Sequence, residues 1–273
     1  TAKAVRQYLK AFLSYQRVIE QPAWKWQPIL QGLILPLRSA TSAAKYQKIW
    51  LEEGAPLLVY TARQAKLLQE KLGENYLVDY AMTYGAPSPQ TALQNLKAQG
   101  ITQIVVLPLF PQYSSASTGA ALDALFRTLS QQRNMVEIKT ISRFFDHPAY
   151  IGAMAQHIRQ HWAMHGQGEH LLMSFHGLPI SAINKGDPYQ QECLSSARLI
   201  ASELELSDQQ YSVSFQSRFG KDKWLEPATS SLLVSFPGKK INRLDVVCPG
   251  FVADCLETLE EMVMEGGGIF AAA

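Results

Sequence analysis

The apolar positions of the chain alternate between a helical period and short continuous runs typical of buried strands. Near the start, Val5, Leu9, Phe12 and Leu13 recur at helical spacing. The same spacing returns six times, which predicts further helices over residues 58–72, 92–98, 122–129, 151–162, 194–204 and 256–263. Between the helices, short runs rich in β-branched and aromatic residues predict strands over residues 76–84, 104–107, 136–144, 171–175, 211–216 and 244–247.

This alternation predicts an α/β fold made of two Rossmann-like halves, because parallel strands need helical crossovers that cover both faces of their sheet. The segment 146–148, with sequence DHP, is the expected hinge, so the halves are predicted at residues 1–147 and 148–273. The apolar segment 32–37, GLILPL, is interpreted as a buried loop, and a peripheral membrane contact is the alternative.

Composition excludes several classes of protein. The chain has 273 residues, of which 47% are hydrophobic, and its net charge of +2 comes from scattered basic residues. No basic patch indicates nucleic-acid binding, and no apolar run approaches the ~20 residues that span a bilayer. The three cysteines lack the spacing of a zinc site. A reducing, cytoplasmic location is therefore expected, with attachment to the inner membrane surface left open.

A histidine follows one predicted strand directly. The apolar run 171–173 leads into residues 174–179, SFHGLP, which contain His176, and GDPY follows at residues 186–189. Ligands of open α/β sheets bind at the carboxyl ends of the strands. Imidazole is also the side chain best suited to move a proton near neutral pH. A lone histidine here is more often a packed or surface residue, so a second feature is needed.

The last predicted helix supplies that feature as a run of carboxylates. Asp254, Glu257 and Glu261 are spaced i, i+3, i+7, which predicts a shared face on an ideal helix. The bland interpretation is a solvated acidic face near a helix N-terminus. Because strand 244–247 and a Pro-Gly turn precede it, we expect this acidic stripe at the same sheet edge as His176. Nitrogen and oxygen ligands together suit transient handling of Fe²⁺ or Zn²⁺.

Two loops add weaker signals. Residues 107–119, LPLFPQYSSASTG, follow a strand and open a helix, where hydroxyl groups can bind an anion or simply cap the helix. The motif 215–220, FQSRFG, is followed by Trp224, an aromatic side chain that can wall a flat ligand or pin a loop.

These four segments together give the chain a resemblance to the ferrochelatase family, of the bacterial type. The resemblance implies two Rossmann-like halves with a porphyrin cleft between them, and insertion of Fe²⁺ into protoporphyrin IX. It matches the family's catalytic and metal-binding histidine with His176 and its acidic partner with Glu257. It also matches a further acidic position of the family with Glu261, and we expect Glu261 and Asp254 to extend a proton or metal path. The resemblance also matches the family's tryptophan beside the porphyrin with Trp224. We expect further porphyrin contacts at Phe110, where many members have Tyr, and at Tyr113, and a propionate partner at Arg38.

The resemblance also bears on cofactors and on the ends of the chain. An iron–sulfur ligand of animal relatives falls on Ser115, so no cluster and no tightly bound cofactor is expected, with Fe²⁺ as a substrate. The family's opening strand and closing helix are not found, so both ends are expected to be cut. The alternatives left open are a chelatase for coproporphyrin or another metal, and a porphyrin-binding fragment without turnover. The oligomeric state cannot be predicted.

Overall fold

The fold is described by a computed structural model, which covers residues 1–220 and 222–273. Its α-helices, numbered α1 to α11 in chain order, are Ala2–Leu13, Ala23–Ile29, Leu35–Ile49, Pro56–Leu72, Pro89–Ala98, Ala120–Ser130, Pro148–His165, Ile180–Asn184, Tyr189–Glu203, Thr229–Ser235 and Gly267–Ala272. Three segments are π-helical, Leu30–Ile34, Ser115–Gly119 and Glu257–Gly266, and Pro237–Lys239 is a 3₁₀ turn. The strands β1 to β5 are Gln103–Val106, Glu137–Thr140, His170–His176, Tyr211–Gln216 and Leu244–Val247.

The chain forms two compact units, and each contains one parallel sheet. The first unit comprises Thr1–Pro108, Ser115–Ser142 and Ala253–Leu256. Its sheet pairs β1 with β2 in parallel, with Gln103 opposite Glu137. Leu93, Leu125 and Leu129 pack against this sheet from α5 and α6. Helices α1 to α3 have a separate small core.

The second unit comprises Leu109–Ser114, Arg143–Val252 and Glu257–Ala273. Its three strands are parallel in the order β4-β3-β5, so β3 has a neighbour on each side. The run from Leu171 to Phe175 in β3 is fully buried, as the continuous apolar pattern of a central parallel strand predicts. Helices α7 and α9 cover one face of this sheet through residues such as Ile158 and Ile200.

The predicted α/β class with parallel sheets is confirmed, and so is the existence of most predicted elements. The boundary near residue 147 and the hinge at residues 146–148 stay predictions. The two ends of helix α7 could be predicted from the sequence because a proline and a glycine mark them. Pro148 lies in its first turn, where a missing N–H costs little. Gly166 ends it with a φ of 78°, a conformation that glycine adopts without strain.

Two local predictions are wrong. Residues 76–84 form no strand, and Tyr84 instead packs edge-to-face on Phe12 and Tyr15. Residues 32–37 are helical rather than a loop, and the side chains of Leu33 and Leu37 are 55% and 65% exposed. Pro36 misled the interpretation because it lies where the π-helical turn Leu30–Ile34 passes directly into α3, and the apolar pattern does not reveal such a turn.

Candidate active site

His176 lies where an open parallel sheet usually binds its ligand. It is the last residue of β3, and the chain leaves β3 for β4 on one side before it returns to β5 on the other. The strand order therefore reverses between β3 and β5, and the carboxyl ends of the strands at such a reversal are where open α/β sheets generally bind their ligands. The predicted position of His176 at a functional edge of the sheet agrees with this topology.

One hydrogen bond of His176 defines the tautomer of its imidazole ring. Its Nδ1 lies 2.7 Å from the backbone carbonyl oxygen of Gly177. A carbonyl oxygen can only accept, so Nδ1 carries the hydrogen and donates it. In the neutral ring, Nε2 then keeps its lone pair and is the nitrogen that can accept a proton or bind a metal. The ring is half-buried, and the ring of Phe251 lies 6.5 Å away between centroids.

Glu257 is linked to the same part of the sheet through its backbone. It is the first residue of the π-helical segment Glu257–Gly266, and its carbonyl oxygen accepts a hydrogen bond of 2.9 Å from Gln216 Nε2. Gln216 ends β4 and is the register partner of His176 across the β3–β4 ladder. The two predicted catalytic residues are therefore both connected to Gln216.

Glu261 is held by the residue after β4. Its carboxylate accepts hydrogen bonds from the Ser217 backbone N–H at 2.7 Å and from the Ser217 hydroxyl at 2.5 Å. Ser217 has a φ of 62°, a left-handed conformation that turns the chain sharply at this point.

The predicted acidic stripe on one ideal helix face is wrong in its geometry. Asp254 lies before the helical segment, so it shares no helix face with Glu257 and Glu261. Those two carboxylates lie on a π-helical turn, in which the hydrogen-bond spacing is i to i+5 rather than i to i+4. The i, i+3, i+7 spacing assumed an ideal α-helix, and no sequence signal marks the π-helical one.

Trp224 is buried more deeply than its predicted role on a loop suggests. Its side chain is 5% exposed, and its ring packs 4.9 Å from that of Phe219. A Cβ on Gly177 would lie 3.2 Å from the indole ring, so Trp224 packs closely on the loop after His176. Within residues 1–220 and 222–273, its indole Nε1 is buried without a hydrogen-bond partner.

The remaining predicted porphyrin contacts occupy two different environments. Phe110 and Tyr113 are half-buried in the segment Leu109–Ser114 of the second unit. The guanidinium of Arg143 lies 5.0 Å above the Tyr113 ring, a cation–π contact. Arg38 is an exposed residue of α3 in the first unit. These roles stay predictions.

The sequence interpretation missed two residues that organise this part of the second unit. Glu192 is buried on α9, accepts from the Tyr113 N–H at 2.7 Å and pairs with Arg143 at 2.6 Å. Burial raises the pKa of Glu192, although both of these partners oppose the rise. Gln216 was part of the quoted FQSRFG motif but received no role. In the sequence, Glu192 is marked only as an acidic residue in the helix that follows GDPY.

The described part of the chain contains neither a ready-made metal site nor a membrane-spanning helix. Among these residues, no group of three or more His, Cys, Asp and Glu side chains is arranged to hold a metal ion. No helix there has the length and apolar character needed to cross a membrane.

Comparison with known proteins identifies the family. The ferrochelatase family model matches residues 1–273. The chain is 50% identical to the ferrochelatase of Nitrosomonas europaea, covering 100% of this chain and 76% of that protein. It is 51% identical to the ferrochelatase of Neisseria meningitidis serogroup A, in an alignment that covers 97% of this chain and 79% of that protein. It is also 51% identical to the ferrochelatase of Chromobacterium violaceum, with 99% of this chain and 75% of that protein covered. The chain belongs to the ferrochelatase family.

Proposed function

We propose that this chain inserts Fe²⁺ into protoporphyrin IX, which yields protohaem and releases two protons. Membership of the ferrochelatase family supports this reaction, and so do the names of relatives about 50% identical over nearly the whole chain. Both the iron and the porphyrin are substrates.

The proposal depends on one observation, which is that His176, at the carboxyl end of β3, donates from Nδ1 and keeps the lone pair of Nε2. Metallation removes two pyrrole N–H protons before four nitrogen lone pairs can hold the dication. With Nδ1 donating to Gly177, the Nε2 lone pair can accept one of those protons, and it accepts the second only after the first has passed on, in our account to Glu257. The same nitrogen is a suitable ligand for Fe²⁺, so His176 can act as base and as transient metal ligand.

Glu257 is proposed as the acidic partner of His176. Its carboxylate delivers the metal or relays protons, and the roles of His176 and Glu257 in these steps are interchangeable in our account. Glu261, fixed by Ser217, continues the path, and Asp254 extends it. A few weakly binding oxygen and nitrogen ligands suit an Fe²⁺ ion that must pass from the protein to the porphyrin, whereas a tight site would retain the ion.

Binding energy from the macrocycle is proposed to bend it toward metallation. A flat porphyrin must expose a nitrogen lone pair out of its plane, and contacts with Phe110, Tyr113 and Trp224 can supply that strain. Arg38 is proposed as a partner for a propionate. The deep burial of Trp224 restricts its contribution to the edge of its ring, or to support of the loop at Gly177.

Several finer expectations stay predictions. These are the absence of a resident cofactor or iron–sulfur cluster, the cytoplasmic location, the peripheral membrane contact and the porphyrin cleft between the two halves. A chelatase for coproporphyrin or another metal, and a porphyrin-binding fragment without turnover, are the competing functions.

The test is a two-stage assay on the purified full protein. Protoporphyrin IX is first titrated by fluorescence, and anaerobic Fe²⁺ or Zn²⁺ is then added while the metalloporphyrin absorption band is followed. Catalytic metallation with many turnovers per protein supports the proposal. Binding without turnover would support the non-catalytic alternative, and a marked preference for coproporphyrin or Co²⁺ would support the related chelatase.

A further inference from the structure

Gln216 makes two hydrogen bonds that connect the proposed base with its acidic partner. Its backbone carbonyl accepts from the N–H of Gly177, next to His176, at 2.7 Å. Its side-chain Nε2 donates to the backbone carbonyl of Glu257 at 2.9 Å. The first bond holds the loop at the end of β3, and the second holds the first residue of the π-helical segment Glu257–Gly266.

The orientation of the Gln216 amide follows from these contacts. The Glu257 carbonyl can only accept, so the amide NH₂ must face it and Oε1 must face the opposite way. Oε1 there accepts from the Ser174 hydroxyl at 2.7 Å, with the Cys248 thiol at 3.6 Å. A flip of the amide would place Oε1 against the Glu257 carbonyl and break that hydrogen bond.

A chain of buried hydroxyl groups continues from Ser174, on the Oε1 side of the amide. The Thr229 hydroxyl lies 2.8 Å from that of Ser174 and 2.8 Å from that of Ser214. Each hydroxyl has one hydrogen, and Ser174 uses its own for Gln216, so Thr229 must donate to Ser174 and Ser214 to Thr229. All these hydroxyl groups are buried, and Gln216 is only 3% exposed, so loss of any partner is costly.

We propose that Gln216 is a positioning residue for the metallation reaction, because it fixes the backbone of Glu257 relative to the strand end that carries His176. This inference rests on the proposed function, in which His176 and Glu257 act on one metal and one porphyrin. Gln216 itself touches neither substrate in this account. Displacements near 1 Å at a reacting centre can lower a rate about a hundredfold, so a hydrogen bond to one backbone carbonyl is sufficient to matter.

The test compares two substitutions of Gln216. Gln216→Glu keeps the shape but replaces the NH₂ donor with an oxygen, and Gln216→Met keeps the length but removes both polar atoms. We expect either variant to lower kcat for metallation by roughly tenfold to a hundredfold. The dissociation constant for protoporphyrin IX should change by less than about threefold, since contacts with the macrocycle remain.

Thr229→Val is the matched control. It removes a hydroxyl from the same buried network with little change in shape, and it leaves the bond between Gln216 and Glu257 in place. We expect it to lower the midpoint of thermal unfolding about as much as the Gln216 variants do, while kcat changes by less than about twofold. Equal kcat losses in Thr229→Val and Gln216→Met would show that general loosening of the core, and not positioning, explains the effect.

A second readout does not depend on turnover. Hydrogen exchange of the segment Glu257–Gly266, measured by mass spectrometry, should accelerate severalfold in Gln216→Met and remain near wild type in Thr229→Val. Unchanged exchange and unchanged kcat in both Gln216 variants would overturn the inference. A wild-type protein that binds porphyrin without metallating it would instead overturn the proposed function, while the exchange result would still decide whether Gln216 holds Glu257.

Discussion

A single hydrogen bond of His176 determines which of its ring nitrogens can accept a proton or bind a metal. At Glu257, a hydrogen bond to the backbone carbonyl fixes the point from which the side chain extends. Nδ1 of His176 donates to a neighbouring carbonyl, which leaves Nε2 with its lone pair. The sequence predicted both residues, since a histidine after a buried strand and a carboxylate after a Pro-Gly turn have readable signals. Gln216 could not be predicted as a partner, because its place beside His176 depends on the register between β3 and β4. The bond from His176 to Gly177 depends on the local turn of the backbone after β3.

The first prediction concerns the Glu257 carboxylate. Glu257→Gln keeps the side-chain volume and the backbone hydrogen bond to Gln216, so the midpoint of thermal unfolding should change by less than about 2 °C. Metallation should fall by roughly a hundredfold, because the neutral amide neither relays a proton nor binds the cation as strongly. Stopped-flow absorbance of metalloporphyrin formation and differential scanning calorimetry measure the two effects.

Glu203→Gln, an exposed change on α9, is the control for this experiment and should retain full metallation. A Glu257→Gln protein that unfolds more easily but keeps its specific activity would show that Glu257 has a structural role.

Among the elements, β3 was predicted most accurately from the sequence. The π-helical form of the segment Glu257–Gly266 could not be predicted from it. A central parallel strand is buried on both faces, so its apolar run is continuous and its limits are sharp. The predicted strand at residues 76–84 failed because strand formation depends on a partner strand, and Tyr84 packs on aromatic residues of α1 and its following turn instead. The π-helical turns differ from α-helix only in hydrogen-bond spacing, which apolar periodicity does not resolve.

The second prediction tests how strongly β3 supports its sheet. Leu172 is fully buried against Leu233 and Phe236, so Leu172→Ala leaves a cavity in this small cluster. The free energy of unfolding should fall by about 2–5 kcal/mol. Val246→Ala on β5, where the residue is 41% exposed, should cost less than about 1 kcal/mol. Urea denaturation followed by circular dichroism measures both, and similar losses would contradict the assignment of β3 as the core strand.

The third prediction concerns His170, at the other end of β3 from His176. Burial, aided by the nearby charge of Lys239, lowers the pKa of His170 below its ordinary value of 6.5. Between the lowered folded pKa and 6.5 the unfolded chain binds more protons, so native stability falls as pH decreases through this window. Stability referenced to pH 8 should therefore drop further in wild type than in His170→Gln, which cannot titrate. Identical profiles from urea denaturation at pH 5 to 8 would contradict this.

At the scale of the whole molecule, family membership and fold class agree, while the surface of the first unit presents an unexpected feature. The segment 32–37 was expected to be buried, and Leu35 is, but Leu33 and Leu37 are exposed. Trp24 on α2 is exposed as well. Sequence periodicity could not show this, because an apolar run does not reveal whether the protein supplies a partner for it. Exposed apolar residues near Lys25 and Arg38 are consistent with the peripheral membrane contact proposed above.

The fourth prediction tests that contact. The full protein should co-sediment with vesicles of phosphatidylglycerol, and a double variant, Leu33→Ser with Leu37→Ser, should partition at least roughly tenfold less strongly. Leu67→Ser, an exposed leucine on α4, serves as the control. If the double variant and wild type partition equally, these residues do not mediate membrane contact.

The most direct test of the account is the metallation rate of His176→Ala. The substitution removes the Nε2 lone pair but leaves the strand, the Gln216 contacts and the apolar surroundings in place. We predict porphyrin binding within about threefold of wild type and a metallation rate lower by at least about a hundredfold, while His161→Ala on α7 behaves as wild type. A His176→Ala protein that inserts Fe²⁺ at close to the wild-type rate would contradict the account.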